Sequence, residues 1–319
     1  MSHLLEVKNL EVKFALRFGD ITAINDVSFT LDKRERLGLV GESGAGKSVT
    51  GFSIINLISK PGFISKGSIW FEGNEISKYN DAQMREIRGN RIAMIFQDPM
   101  MTLNPVFTIG FQMVETLLAH RNISRAEARA IALEKLKKVH IPSPEQRLDQ
   151  YPHELSGGMR QRVIIAISLL SDPAIIIADE PTTALDVTIQ AEIMDLLQEL
   201  CETDNMGLIL ITHDLGVVSQ VTQKIAVMYA GKIIEFGPTD QVVHNPVHPY
   251  TIGLIGSIPG SIPPGQDLKQ IPGMMPTLTD IPPGCAFNPR CELKQDICTR
   301  ETPVLMEKQN GIMAACHMK

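Results

Sequence analysis

The sequence predicts an α/β fold: a mostly parallel sheet covered by helices on both faces, an antiparallel edge, a helical insertion and a small Cys-rich tail. Three observations point there. Apolar runs too short for helices recur at residues 36–40, 92–96, 174–178 and 208–211, as strands buried on both faces do. Helical stretches alternate with them, as parallel crossovers require. The first run ends in a Gly-rich loop that opens a helix.

Taken in order, residues 4–14 alternate imperfectly between apolar and polar and are expected to form an edge strand; residues 27–31 form a second. Arg36-Leu-Gly-Leu-Val40 reads as a buried strand, followed by a helix from Ser48 to about Leu57. Residues 67–73 look like a strand entering a turn, and 92–96 like another strand. Strand character is then lost from 102 to 170. Within that stretch 127–139 is a charged helix with Ile131, Leu133, Leu136 and Val139 apolar, and 157–170 is a second helix. A strand at 174–178, a helix at about 189–200, a strand at 208–211 and a helix from Gly216 follow. Residues 225–229 and 232–235 read as a hairpin around Ala230-Gly231. The sequence shows no internal repeat and no low-complexity segment.

Composition bounds the function. The 319 residues are 44% hydrophobic and 21% charged, ordinary for a globular protein. With 30 basic and 36 acidic residues the net charge is −6, so no overall basic footprint for nucleic acid exists. The longest strongly apolar run, residues 163–170, is far short of the ~20 residues of a membrane helix. Any membrane role is therefore expected to need a partner. The N-terminus lacks the basic start and apolar core of a secretory signal, so the expected compartment is the cytoplasm. Nine of the 20 prolines fall between Pro259 and Pro303, and four of the five cysteines (Cys285, Cys291, Cys298, Cys316) lie in the last 35 residues. This divides the chain into a long ordinary part and a short distinctive tail.

Gly41-Glu42-Ser43-Gly44-Ala45-Gly46-Lys47-Ser48, with Val49 continuing into the helix, fits the G-x-x-x-x-G-K-S pattern of a phosphate loop. Glycines let backbone N–H groups face phosphate, and the helix offers the positive end of its dipole. Lys47 is expected on the β- and γ-phosphates and the Ser48 hydroxyl on Mg²⁺. The plain alternative is a flexible Gly-Ser loop. Asp179 and Glu180 end the strand at 174–178. Asp179 is placed to hold Mg²⁺ through water, and Glu180 to polarise the water attacking the γ-phosphate. An acid-rich turn is the alternative. Leu155-Ser156-Gly157-Gly158-Met159 opens an apolar helix with Ser156 as cap, and by itself could be no more than that.

These residues together resemble the ABC-ATPase family. The resemblance runs over about residues 4–255 with every expected motif in order. It implies a P-loop cassette with a RecA-like core, an antiparallel β subdomain and a helical subdomain at about 100–170, followed by a C-terminal extension at 256–319. Ser156, Gly157 and Gly158 resemble the signature that binds the γ-phosphate of ATP held by a facing protomer; Met159 stands where many members have glutamine. Phe96-Gln97-Asp98-Pro99 resembles the loop whose glutamine senses Mg²⁺ and the membrane partner. Thr183-Ala184-Leu185-Asp186 resembles the D-loop, with Thr183 where serine is usual. Ile211-Thr212-His213-Asp214 resembles the switch histidine. Phe14 and Phe18 are both candidates to stack on adenine.

A narrower resemblance, to the peptide/nickel importer branch and within it the ATP-binding subunits of dipeptide and oligopeptide permeases, rests on four stretches. They are Gly41-Glu-Ser-Gly, Phe96-Gln-Asp-Pro-Met with Leu103-Asn-Pro105, Glu180-Pro-Thr-Thr-Ala-Leu-Asp-Val-Thr-Ile-Gln190, and His248-Pro-Tyr-Thr251. It implies an ATPase at the cytoplasmic face of the bacterial inner membrane that powers peptide import. Implied partners are two membrane permease subunits, a second similar ATP-binding subunit in a heterodimer and, indirectly, a periplasmic or lipid-anchored solute-binding protein. Nickel or metallophore import is the neighbouring alternative, and a soluble non-transport ATPase a distant one. Arg34 stands where the family usually has glycine; being in a turn, it is expected to matter little.

The tail cysteines are spaced C-x5-C-x6-C-x17-C. Four converging thiolates suit tetrahedral zinc or an iron–sulfur cluster, and the lack of a C-x2-C knuckle weighs against a common zinc ribbon. The resemblance implies a [4Fe–4S] cluster; zinc and reduced, non-ligating thiols stay open. His317 is a possible substitute ligand or a solvated neighbour. Cys201, on a helix, is expected to be a packing residue.

Overall fold

The computed structural model describes residues 3–98, 102–183, 185–258 and 270–318. Pro99 and Met100 of the Gln97 loop and Ala184 of the D-loop stretch lie outside them. The chain forms two compact units, Met1–Lys78 with Leu210–Lys319, and Tyr79–Ile209.

The first unit holds a four-stranded antiparallel sheet of β1 (Leu5–Leu16), β2 (Gly19–Leu31), β4 (Gly62–Phe71) and β5 (Asn74–Glu75), in the order β2-β1-β4-β5. The expected edge strand is thus an inner one. Leu5 pairs with both Leu31 and Phe71. The alternation looked imperfect because the ladder shifts register between Val7 and Leu10 and again near Val12, with Asn9 left-handed at the break. Strand β3 (Arg36–Val40) runs parallel to β9 (Lys224–Tyr229), pairing Leu37 with Lys224. Strand β10 (Lys232–Pro238) returns antiparallel through the expected Ala230-Gly231 turn. Two tail strands, β11 (Met306–Gln309) and β12 (Ile312–Ala314), continue outward: β12 pairs with β10 at Glu235↔Ala314 and Phe236↔Met313. No sequence signal predicted them, because both are short: four and three residues. Among the described residues, the α-helices of this unit are the one that follows β3 and the short Leu215–Val221, Thr239–His244 and Pro249–Gly256.

In the second unit β6 (Ile92–Ile95) and β7 (Ile175–Asp179) pair in parallel, Ile92 with Ile175. All five β7 residues are buried, which explains an uninterrupted apolar run with no alternation. The longest helices of this unit among the described residues are Ile109–His120, Arg125–Lys138, Gly157–Ser168 and Val187–Asp204. Each starts on a side-chain cap, from Thr108, Ser124, Ser156 and Asp186 in turn. Each cap accepts one of the first-turn N–H groups that the helix itself cannot satisfy. The buried side of 125–138 is formed by Ala128, Ala132, Lys135 and Leu136, not by the more apolar-looking Ile131. The Lys135 ammonium is held there by Asp172 at 2.6 Å.

Candidate functional site

In the first unit the phosphate loop links β3 to the helix Lys47–Ile54, the strand–loop–helix context that the sequence predicts. Gly46 caps that helix with φ 101°, a conformation open mainly to glycine. Thr50 secures the first turn by donating both its N–H and its hydroxyl to the Gly46 carbonyl, each at 3.0 Å. Lys47 is 5% exposed, and its Nζ donates to the carbonyls of Gly41 at 2.7 Å and Glu42 at 3.0 Å. The ammonium therefore lies over the loop's own concavity. Ser48 and Val49 are half-buried, while Ser43 and Gly44 are exposed. The β9–β10 turn props the loop from outside: Gly231 N–H donates to the Ala45 carbonyl at 3.0 Å.

His213 follows the strand β8 (Gly207–Thr212) and is exposed. Its neighbour Asp214 caps the next helix, accepting from Gly216 and Val217. Of the two candidate aromatics, Phe14 pairs with Gly62 inside the sheet, whereas Phe18 stands at the β1–β2 turn, 77% exposed.

In the second unit Asp179 is buried at the end of β7. Glu180, the next residue, takes a left-handed φ of 45°, uncommon for a non-glycine residue. Its carboxylate Oε2 accepts from Gln97 Nε2 at 2.9 Å and from Thr183 Oγ1 at 3.0 Å. Thr183 was noticed in the sequence only as a departure from serine. Its hydrogen bond to Glu180 shows in the fold alone, since a three-residue separation carries no hint of the turn that brings them together. Ser156 caps its helix by accepting from Met159 N–H at 3.3 Å. A Cβ on Gly158 would lie 2.8 Å from Ile189, so close packing accounts for that glycine as well as any phosphate contact does. Asp186 likewise has a structural task, accepting from Ile189 N–H at 2.9 Å.

The four tail cysteines line one small cavity of about 10 Å³ together with His248, Phe287 and His317. None is in a disulfide. Burial pushes the Cys285 thiol up to about 11 and also raises Cys291, helped in both by the neighbouring thiols. A bound cation would reverse that cost by favouring thiolates. The donor set thus fits a thiolate-held metal in kind. Among the described residues, however, no three His, Cys, Asp or Glu side chains stand at ligating spacing. The void suits roughly one water-sized occupant, so a four-iron cluster needs the thiols to part. His317 donates from Nε2 to the Glu301 carbonyl, 2.9 Å away. Cys201 is fully buried in its helix, as expected of a packing residue.

Sequence reasoning missed a second group that reaches the phosphate loop. Arg290, beside Cys291 in the tail, donates from Nη1 to Glu42 Oε2 at 3.0 Å. The Tyr250 hydroxyl accepts the Glu42 N–H at 2.9 Å. The available signals were the charge set between the first two tail cysteines and the His248-Pro-Tyr run, where His248 Nδ1 accepts from Tyr250 N–H at 3.1 Å.

Known proteins resemble the chain closely. Residues 24–183 match the family described as ABC transporter. Residues 234–298 match the one described as oligopeptide/dipeptide transporter, C-terminal region. A putative peptide import ATP-binding protein of Brucella melitensis is 49% identical over 322 residues, covering 97% of this chain and 95% of that protein. The oligopeptide transport ATP-binding protein OppD of Salmonella typhimurium is 48% identical, covering 98% and 93%. Among solved structures, the dimeric post-hydrolysis ATP-binding cassette MJ0796, bound to ADP and Pi, superposes with a TM-score of 0.66 at 28% identity, covering 74% of this chain and 98% of that one. The cassette cbiO1 of Clostridium perfringens gives 0.65 at 27% identity, covering 77% and 92%.

Proposed function

Because the chain belongs to the ABC transporter family, and within it to the ATP-hydrolysing cassettes, we propose that it powers a bacterial importer of dipeptides or oligopeptides from the cytoplasmic face of the inner membrane. The observation that carries the hydrolytic reading is Glu180: an unusual backbone conformation with one carboxylate oxygen fixed by both Gln97 and Thr183. A carboxylate so held keeps its orientation when a water arrives, which general-base work requires. The match to the oligopeptide/dipeptide transporter C-terminal region and the peptide-import relatives support the choice of solute.

In this reading Gly41 to Val49 wrap the triphosphate, Lys47 neutralises its β- and γ-oxygens, and Ser48, Gln97 and Asp179 hold Mg²⁺. Phe18, the exposed ring, stacks on adenine. Glu180 polarises the attacking water, and His213 contacts the γ-phosphate. Ser156, Gly157, Gly158 and Asp186 serve the nucleotide of a facing cassette, a second and similar ATP-binding subunit. Two permease subunits dock on the helical part, about residues 100–170, where Phe107 and Phe111 stack at 4.6 Å and are both exposed. A solute-binding protein delivers peptide to those subunits. The cassette then spans residues 1–255 and the extension 256–319.

We further propose that Cys285, Cys291, Cys298 and Cys316 hold a [4Fe–4S] cluster, with zinc as the alternative occupant. Such a centre cross-links a segment that has little apolar core of its own. An absorbance spectrum with iron and zinc analysis of anaerobically purified protein decides between them. Absence of both metals rejects the site.

The test of the hydrolytic assignment is Glu180→Gln. ATP affinity should stay within about threefold while turnover falls by on the order of 10²–10³. Substantial remaining hydrolysis moves the base elsewhere. Uptake of a labelled dipeptide by the assembled transporter should stop with the same variant; uptake of a nickel chelate instead would reassign the solute.

A further inference from the structure

We propose that Arg290 is a positioning residue for the phosphate loop: the tail supplies the guanidinium that makes a loop carrying a carboxylate fit for a polyphosphate. The proposal rests on the reading that Gly41 to Ser48 hold a nucleoside triphosphate.

Glu42 is the second residue of the loop. A carboxylate beside a triphosphate repels it, and the repulsion is large where water is scarce. The loop therefore needs that charge neutralised and turned aside. Arg290 does both. Its Nη1 donates to Glu42 Oε2 at 3.0 Å, with the arginine side chain 7% exposed and that of Glu42 29%. The guanidinium is itself held in place. Nε donates to the Pro272 carbonyl at 2.8 Å, Nη1 also reaches the Tyr229 hydroxyl at 3.3 Å, and the rings of Tyr229 and Phe287 lie 5.9 Å away. A fork fixed this way loses little freedom on pairing.

The backbone of Glu42 has its own anchor, the Tyr250 hydroxyl. Tyr250 packs edge-on against Tyr229 and Phe287, with ring centroids 4.7 and 5.4 Å away. Phe287 also lines the cysteine cavity. Both the side chain and the N–H of Glu42 are thus governed by residues that the tail sets. A residue that merely fastened the tail to the sheet would have no reason to spend its charge on the phosphate loop, since Pro272 and Tyr229 already hold it.

The experiment measures Mg-ATP and Mg-ADP affinity of the full-length chain by calorimetry for Arg290→Met, Arg290→Lys, Glu42→Gln and the double variant Arg290→Met/Glu42→Gln. Arg290→Met should weaken ATP about tenfold and ADP less, because ADP carries less charge. The loss should shrink at high salt, as a repulsion between charges does. Arg290→Lys, which keeps charge without the fork, should fall between. The double variant should recover most of the affinity, since the bare carboxylate is gone. By reciprocity, ATP should slow amide exchange across residues 285–291 in the wild type and not in Arg290→Met. An Arg290→Met affinity within twofold of wild type overturns the proposal, and so does a double variant as weak as Arg290→Met. Lys47→Ala separates the two readings. If it leaves ATP affinity unchanged, the phosphate-loop assignment fails; if it abolishes binding while Arg290→Met does nothing, only the role of Arg290 fails.

Discussion

In β7 every residue is buried and four of the five are apolar. Between residues 270 and 318 the buried apolar side chains are Phe287, Cys298, Ile312, Ala314 and Ala315. The first region is held by apolar burial, which is non-directional and tolerant of detail. The second is held by particular bonds: Asn288 Nδ2 donates to the Pro283 and Cys285 carbonyls, Cys285 N–H to the Cys298 carbonyl, Thr302 Oγ1 to the Gly284 carbonyl and Lys308 Nζ to the Cys316 carbonyl. A core made of repeated apolar contacts survives the loss of one. A fold made of single contacts concentrates its stability, and its influence on neighbours, in few residues.

The sharpest way to break this contrast is Phe287→Ala. Truncating a buried Phe costs about 3–5 kcal/mol. Here it also removes a neighbour of Tyr250 and Tyr229 and a wall of the cysteine cavity. Chemical denaturation should show an early partial transition, with ATP affinity already reduced before the main one. A single transition of unchanged shape would mean that the tail is no less cooperative than the core. In β7, Ile177→Val should cost about 0.5–1.5 kcal/mol, spread over the whole unfolding curve and without effect on ATP affinity. Thr183→Ala should lower kcat up to about tenfold with little change in KM, because Gln97 still holds Glu180; an unchanged kcat removes Thr183 from the site.

A weaker effect is expected of Asp172→Asn. Burial by itself raises the Asp172 carboxyl, but hydrogen bonds from Lys135 and Arg121 outweigh it and hold it below its ordinary value. A carboxyl depressed in the folded state stabilises it above the unfolded pKa and loses that contribution as pH falls through the folded value. Since the side chain is largely exposed, the gap between wild type and variant should be about 1 kcal/mol at neutral pH. It should close as pH drops below about 4, the unfolded value. A gap that persists at low pH would show that charge is not its origin. The smallest effect belongs to Arg34, which the sequence treats as inconsequential. It holds φ 61°, where an L-residue is strained by about 1–2 kcal/mol. Arg34→Gly relieves this but adds freedom to the unfolded chain worth about 0.4–1 kcal/mol, so a rise in Tm of a few degrees at most should follow.

The same contrast decides what could be read from sequence. Strands at 36–40, 175–179 and 207–212 announce themselves because burial on both faces demands continuous apolar residues. The loop stands out through its G-x-x-x-x-G-K-S spacing, and the structure gives it the strand–loop–helix setting that the spacing predicts; Asp179, Glu180, Ser156 and His213 stand out as candidates through their place in the order of motifs that resembles the family. The inner position of β1 was not, since register breaks near Asn9 disguise a two-sided strand as an edge. Nor were Arg290 and Tyr250, which act on a residue 248 and 208 positions away through contacts that no local pattern encodes. Thr183 lies between these cases: its identity was noticed and its partner was not.

The pairing of β12 with β10 has a further consequence, for solubility. Without it, β10 would present an open row of amides and carbonyls along Ile233, Ile234 and Phe236, a ready template for another chain. With it, Ala315 N–H is already donated to the Ile234 carbonyl at 2.8 Å, and the outermost strand becomes β11, four residues long and carrying Glu307 and Lys308. Short and charged, it is a poor partner for further strands. A chain cut after Gly256 should therefore tend to self-associate through its sheet edge even where its cassette is folded, and light scattering after truncation would register this before any loss of helical signal.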